Sequence, residues 1–259
     1  MNLILEKAVR LENKVALITG ASSGIGEATA RSFARLGASL ILCARRTERL
    51  EALATELKNQ YQSLVHIISL DVTAPHHVEM ALTNLPVEFI NIDIVVNNAG
   101  LAIGLDPLAD ASIEDWDKMI DTNIKGLLYV TKAILPDMLV RKTGHIVNIG
   151  SISGHQVYAK GAVYCATKHA VKAISRALKL ECQGSPIRVT EVDPGLVETE
   201  FSMVRFKGDT ARAKKVYENI QPLTAQDVAD AICYAVTRPA HVNVAEITLG
   251  ATEQPMQLV

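Results

Sequence analysis

The sequence predicts a single-domain α/β fold built on one doubly wound parallel sheet of about seven strands. Three observations predict it. Apolar runs of strand length alternate with amphipathic stretches of helix length along the chain. The strand runs are apolar without strict alternation, as suits strands covered on both faces. The glycine-bearing polar segments fall just after strands, at the carboxyl ends where such sheets bind ligands.

The elements follow in order. Lys14–Thr19 reads as the first strand, and Ile25–Leu36 as a helix ended by Gly37. Ser39–Ala44 is the second strand and Thr47–Lys58 the second helix. Val65–Leu70 is a strand, Pro75–Leu85 a helix and Ile92–Val96 the fourth strand. Ser112–Val140 has helical periodicity, but Gly126 and Pro136 predict a break or bend. Gly144–Ile149 is a strand, Ala159–Cys182 a long helix and Ile187–Val192 a strand. Ala211–Asn219 and Ala225–Thr237 read as helices, and Val244–Leu249 as the last strand.

Composition narrows the function classes. A chain of 259 residues with 49% hydrophobic and 21% charged residues is globular, and 1–259 fits one domain. Its 26 Lys+Arg against 28 Asp+Glu give a net charge of −2, too little basic field to hold nucleic acid or an anionic membrane. Cys43, Cys165, Cys182 and Cys233 are scattered without a CxxC pair, so buried thiols are expected rather than a disulfide frame or a metal site. Met1–Lys14 lacks the long apolar core of a signal peptide, and no stretch is apolar enough to span a bilayer. The expected location is cytoplasmic.

After the first strand comes Thr19-Gly20-Ala21-Ser22-Ser23-Gly24-Ile25-Gly26, and then a helix. A diphosphate needs close backbone approach. Gly20, Gly24 and Gly26 remove obstructing side chains, while Ser22, Ser23, Ile25 and the helix start bring donors and a positive dipole end. The spacing is GxxxGxG rather than GxGxxG. A dinucleotide bound there meets the end of the second strand, Cys43-Ala44-Arg45-Arg46. An acid at this place would take ribose hydroxyls; here a small residue and two guanidinium groups suit a ribose phosphate, with Ser22 as a further donor. NADP(H) is therefore the expected cofactor. Asp71-Val72, after the third strand, stands where the adenine would lie, and Asp71 also suits a helix N-cap.

Tyr164 and Lys168 are four residues apart in a predicted helix, about one turn, so both leave the same face. A free phenol titrates near ~10, too high for a base at neutral pH. A neighbouring ammonium, together with the positive ring of an oxidised nicotinamide, is expected to lower that value. Tyr164 then exchanges a proton with an alcohol or carbonyl oxygen. Ser151, at the end of another strand, is placed to polarise that oxygen.

Thr19 to Gly26, Asn97-Asn98-Ala99-Gly100, Asn123, Ser151, Tyr164, Lys168 and Pro194-Gly195 together resemble the short-chain dehydrogenase/reductase family over nearly the whole chain. The resemblance implies a Rossmann-type fold and a tetrad of Asn123, Ser151, Tyr164 and Lys168, with Asn123 holding a water of a proton relay. It implies that Asn98, Ala99 and Gly100 line the cofactor cleft, that Pro194, Gly195, Val197 and Thr199 meet the nicotinamide amide, and that Lys168 reaches the nicotinamide ribose. Gly150 departs from the second serine of many members. The family also implies a homotetramer or homodimer formed through the two long helices.

A narrower resemblance lies in Gly195 to Phe201, Val204 to Asp209, Asn98 to Ala102, Glu114 to Trp116 and Pro239 to Asn243. They are similar to NADP-dependent 3-hydroxy acid dehydrogenases, which act on serine, allo-threonine or malonic semialdehyde. Residues 196–220 would form a lid. Arg205, with Lys207 as the other candidate, would meet a substrate carboxylate, or both would be surface charges. His155 would line the pocket or stand as a loop histidine. His76-His77 reads as a solvated turn. The small-molecule alternatives are bulkier apolar ketones, or no turnover at all in a protein that only senses NADP.

Overall fold

The computed structural model describes residues 11–255. The expectations placed on Met1–Lys14 fall mainly on 1–10, outside the described residues. Seven strands form one parallel sheet in the order β3-β2-β1-β4-β5-β6-β7. They are β1 Val15–Thr19, β2 Ser39–Ala44, β3 Val65–Ser69, β4 Ile94–Asn97, β5 Gly144–Ile149, β6 Ile187–Pro194 and β7 Glu246–Leu249. The α-helices are α1 Gly24–Arg35, α2 Thr47–Tyr61, α3 Pro75–Thr83, α4 Ile113–Ile120, α5 Leu127–Arg141, α6 Ala162–Glu181, α7 Phe201–Arg205, α8 Thr210–Lys215 and α9 Ala225–Val236.

Alternate residues of β1 divide the core. Ala16 and Ile18 pack with Phe33, Leu50, Val228 and Ile232 under α1, α2 and α9. Val15 and Leu17 pack with Val130, Ile134, Met138 and Leu178 under α5 and α6. Each such buried side chain contributes roughly 1.5–3 kcal/mol, and both faces are covered, so the apolar strands need no polar side.

β1 pairs with β2 on one side and β4 on the other, which makes the switch point there. Thr19 pins it: its Oγ accepts from the N–H groups of Asn98 at 3.0 Å and Ala99 at 2.9 Å. Asn98 Nδ2 donates to the Thr19 carbonyl at 2.9 Å. The loops after β1 and β4 therefore leave the sheet side by side.

The break or bend expected within Ser112–Val140 has its counterpart at Gly126, where a π-helical turn at Asp121–Gly126 separates α4 from α5; none interrupts α5 at Pro136. Pro136 stands on the exposed face of α5, where water can take the freed carbonyl, and the helix passes through it. α7 and the short 3₁₀ turns at Val87–Phe89 and Ile152–Gly154 have no counterpart in the expected elements; each is too short to show a period. Among the described residues no helix is long and apolar enough to cross a membrane.

Candidate active site

The loop after β1 closes on itself before it can hold anything. Gly20 and Gly24 have φ of +64° and +55°, a left-handed conformation that favours glycine. A Cβ on Gly26 would lie 2.5 Å from the Gly20 carbonyl oxygen and 2.6 Å from Asn98 Nδ2. Gly26 is thus bare because α1 packs onto its own loop and the β4 loop, not to clear space for a phosphate. The free N–H groups at the start of α1 face the cleft beside it. The N-cap Ser23 makes no capping bond; its Oγ accepts from Arg46 at 2.6 Å. Arg46 Nε also meets Ser22 Oγ at 3.1 Å. Its remaining nitrogen pairs with Glu200 at 2.7 Å, and Arg49 reaches the same carboxylate at 2.6 Å.

One cleft of about 370 Å³ joins this loop to the predicted chemistry. Its walls include Gly20, Ser22, Ser23, Gly24, Ile25, Arg45, Arg46, Asp71, Val72, Asn98, Ala99 and Gly100. Ser151, Tyr164, Lys168, Pro194, Gly195, Val197 and Thr199 line its other end. Of the expected cofactor residues only Gly26 lies off the wall. Asp71 is not the N-cap of α3, which is Ala74. Its carboxylate accepts from the Thr73 N–H at 3.0 Å and the Thr73 hydroxyl at 2.8 Å, closing the turn before the helix.

At the inner end, β5 delivers Ser151 and α6 delivers Tyr164 and Lys168, all buried. Lys168 Nζ donates to the Ile149 carbonyl at 2.8 Å and lies 5.9 Å from the centre of the Tyr164 ring. Burial lowers the Lys168 ammonium to about 8, against the opposing pull of Asp193 and Glu191. The expected lowering of the Tyr164 phenol is not found in the protein alone. Burial drives it upward, and the neighbouring Ser151 hydroxyl and Arg205 only partly offset this.

Asn123 lies on the π-helical turn. Its amide accepts from the Leu101 N–H and donates to the Leu101 carbonyl, both at 2.8 Å, and donates to Thr167 Oγ at 3.0 Å. It ties the β4 loop to α6, and its Oδ1 and Lys168 Nζ both come close to Gly100, 3.3 and 3.8 Å from where a Cβ would stand.

Two substrate expectations change. His155 does not line the cleft; it turns inward, its Nε2 3.0 Å from Asp193 Oδ2. Lys207 is not a free cation but pairs with Asp115 at 2.7 Å. Arg205 is not on the cleft wall either, but it stays close: its guanidinium stands 5.7 Å from the Tyr164 ring, bonded to the Tyr158 hydroxyl at 2.6 Å and the Gly104 carbonyl at 3.3 Å. Tyr158 and Asp193 escaped the sequence reading, and Glu200 and Phe201 entered it only within the segment from Gly195 and the lid, with no role of their own. Asp193 follows directly on the expected strand Ile187–Val192. His76 and His77 are exposed in the first turn of α3, as expected.

A doubly wound sheet with a glycine loop at its switch point and a Ser–Tyr–Lys group in the same cleft defines a class, the nucleotide-dependent oxidoreductases. The chain belongs to the short-chain dehydrogenase family, whose pattern matches residues 14–210. It is 49% identical over 231 residues to an NADP-dependent 3-hydroxy acid dehydrogenase of Escherichia coli (strain K12), covering 89% of this chain and 92% of that protein. It is 46% identical to sulfoacetaldehyde reductase 2 of Chromohalobacter salexigens over 93% of this chain and 95% of that one. The closed form of a serine dehydrogenase complexed with NADP+ superposes with a TM-score of 0.89 at 47% identity, over 93% and 96% of the two chains.

Proposed function

We propose that this protein is an NADP-dependent oxidoreductase that interconverts a small 3-hydroxy acid, such as serine, allo-threonine or 3-hydroxypropionate, and its oxo acid or semialdehyde. The observation that carries the reading is the single cleft that joins Arg45, Arg46 and the glycine loop to Ser151, Tyr164 and Lys168, with the Arg205 guanidinium beside the Tyr164 ring.

The donor set fits the cofactor. The start of α1 with Gly20, Ser22, Ser23, Gly24 and Ile25 would hold the diphosphate, and Ser22, Arg45 and Arg46 the ribose phosphate. Asp71 and Val72 would flank the adenine. Asn98, Ala99, Gly100, Pro194, Gly195, Val197 and Thr199 would line the nicotinamide end. Bound there, NADP(H) takes or gives the hydride.

The chain's own groups handle the proton. Tyr164 takes it from the substrate hydroxyl in oxidation and returns it to the carbonyl oxygen in reduction. Ser151 stands beside the phenol and polarises the same oxygen. Lys168, an ammonium fixed by the Ile149 carbonyl, favours the phenolate. Asn123 keeps the β4 loop and α6 in register. Arg205 supplies the cation for a carboxylate. The names of the relatives support this end, since a hydroxy acid, serine and sulfoacetaldehyde are all small and anionic or zwitterionic.

The test is steady-state kinetics on serine and 3-hydroxyisobutyrate with NADP, beside an apolar ketone with NADPH. The acids are expected to turn over and the ketone poorly; the reverse order overturns the substrate class. Arg205→Ala is expected to raise KM for the acid about tenfold or more, as loss of a charge-assisted bond implies, and an unchanged KM removes the carboxylate role. Tyr164→Phe is expected to cut single turnover by roughly 10²–10⁴. Wild-type protein that binds NADPH without turnover of any substrate would leave a sensor.

A further inference from the structure

Behind Ser151 lies a group of buried acids that the reaction above does not use. β6 turns Glu191 and Asp193 to one side of the sheet, two residues apart. They are only 2% and 0% exposed. Asp193 Oδ1 accepts the Ser151 backbone N–H at 2.9 Å, and its Oδ2 faces His155 Nε2 at 3.0 Å. Glu191 Oε1 is buried without a partner. A Cβ on Gly150 would stand 1.9 Å from Asp193 Oδ1 and 2.8 Å from Glu191 Oε1. Both carboxyls therefore converge on bare backbone between Ile149, whose carbonyl holds Lys168, and Ser151. The departure at Gly150 is explained: a serine there would collide with Asp193.

Two carboxyls this close inside a protein do not both ionise. Burial and the neighbouring acid push Glu191 up to about 8, so it keeps its proton at neutral pH. Asp193 is also raised by burial, but His155 and the neighbouring Glu191 oppose this, and it faces the Ser151 N–H and His155. The anion thus belongs to Asp193. The other titratable groups around it are Lys168 and Lys172 on α6, His155 in the turn after β5, and Glu246 on β7, which Lys172 and Arg176 approach at 3.5 and 3.6 Å. Arg205 from α7 and the Tyr158 phenol face Tyr164 from the lid side.

We propose that Asp193 is a positioning residue for the proton transfer: its buried carboxylate anchors the Ser151 turn through the backbone N–H and, with Glu191 beside it, backs the Gly150 backbone between Ser151 and the Ile149 carbonyl that holds Lys168. The proposal rests on the proton-transfer role of Tyr164 argued above, but not on the substrate. Without the Asp193 anion, burial of Lys168 is opposed by Glu191 alone. The lysine holds its proton less firmly, and the phenol loses part of the cation that favours its ionised form. Oxidation requires that form, so its rate must rise at higher pH.

Asp193→Asn keeps an acceptor for Ser151 and removes the charge. The experiment is the pH profile of kcat for oxidation with NADP, for wild type and variant, with NADPH affinity from fluorescence titration. Expected is an acid limb moved up by about one pH unit with kcat at pH 7 reduced about tenfold, and NADPH affinity within about twofold. A rate reduced equally at every pH, or an unmoved limb, overturns the proposal. Should that variant fold poorly, Glu191→Gln leaves Asp193 as the one acid of the pair; its limb must not move up, and a limb moved up assigns the anion to Glu191 and overturns the proposal. If wild type oxidises neither serine nor 3-hydroxyisobutyrate, the substrate class has failed, and the profiles are taken with the alcohol of whichever ketone is reduced. The two failures are thereby distinguished.

Discussion

Arg46 carries three hydrogen bonds at once, to Ser22, Ser23 and Glu200, and each is made by a group on the wall of the cleft. On the proposed reading this guanidinium is oriented for the ribose phosphate, with the two serine hydroxyls as co-ligands and the Glu200 carboxylate where the phosphate would sit. A charge-assisted bond of this kind contributes about 1.5–3 kcal/mol. Arg46→Ala is expected to lower the preference for NADP over NAD, as a ratio of kcat/KM, by roughly 10–100-fold, with NAD kinetics little changed. An unaltered ratio would assign the discrimination to Arg45 and Ser22 instead. Tyr164 and Lys168 are the pair that the residue scale explains least well alone. Burial raises the phenol and lowers the ammonium, both toward the neutral forms, so their catalytic charges depend on what surrounds them.

At the scale of elements, α1 is held so tightly to the loop before it that the helix and the glycine loop act as one part. A methyl at Gly26 meets a carbonyl oxygen and an amide nitrogen that cannot both withdraw without opening the β1–β4 switch point. Gly26→Ala is expected to lower stability by ~1–3 kcal/mol, seen as a drop in Tm of several degrees in calorimetry, and to weaken NADPH binding in step. A variant as stable as wild type would mean that the loop is slack. These parts were legible beforehand because strand, glycine and helix signals coincide in Val15–Arg35, and the one-turn spacing of Tyr164 and Lys168 needs only a helix. The turn of His155 away from the cleft was not legible, since its partner Asp193 comes from a strand 38 residues later. Nor was the pairing of Lys207 with Asp115, 92 residues apart. Sequence periodicity reports a face, and neither contact follows from one.

For the whole molecule, the buried ionisable groups set opposing responses to acid. Thr190 Oγ gives its proton to the Val244 carbonyl at 2.6 Å, so His145 Nε2 must donate to Thr190 at 2.7 Å, leaving His145 Nδ1 buried and bare. Protonating Nδ1 would place a charge and an unpaired donor in the core, and burial with nearby Arg188 lowers this histidine from 6.5 to about 3. Between those values the unfolded chain binds the proton and the folded one does not. Stability from His145 is therefore full above about pH 6.5 and declines as the pH falls toward about 3. Glu191 has the opposite sign: raised from 4.5 to about 8, it gives stability that is full at low pH and declines as the pH rises through that window. From about pH 4.5 to 6.5 the two slopes oppose each other. His145→Gln can keep the bond to Thr190 while removing the titration. Urea unfolding of both proteins at pH 7.5 and pH 5 is expected to show the variant gaining on wild type by roughly 2 kcal/mol upon acidification, about 1.4 kcal/mol for each pH unit below the unfolded value. Parallel curves would mean that water reaches Nδ1 and that the histidine is not held neutral by the core.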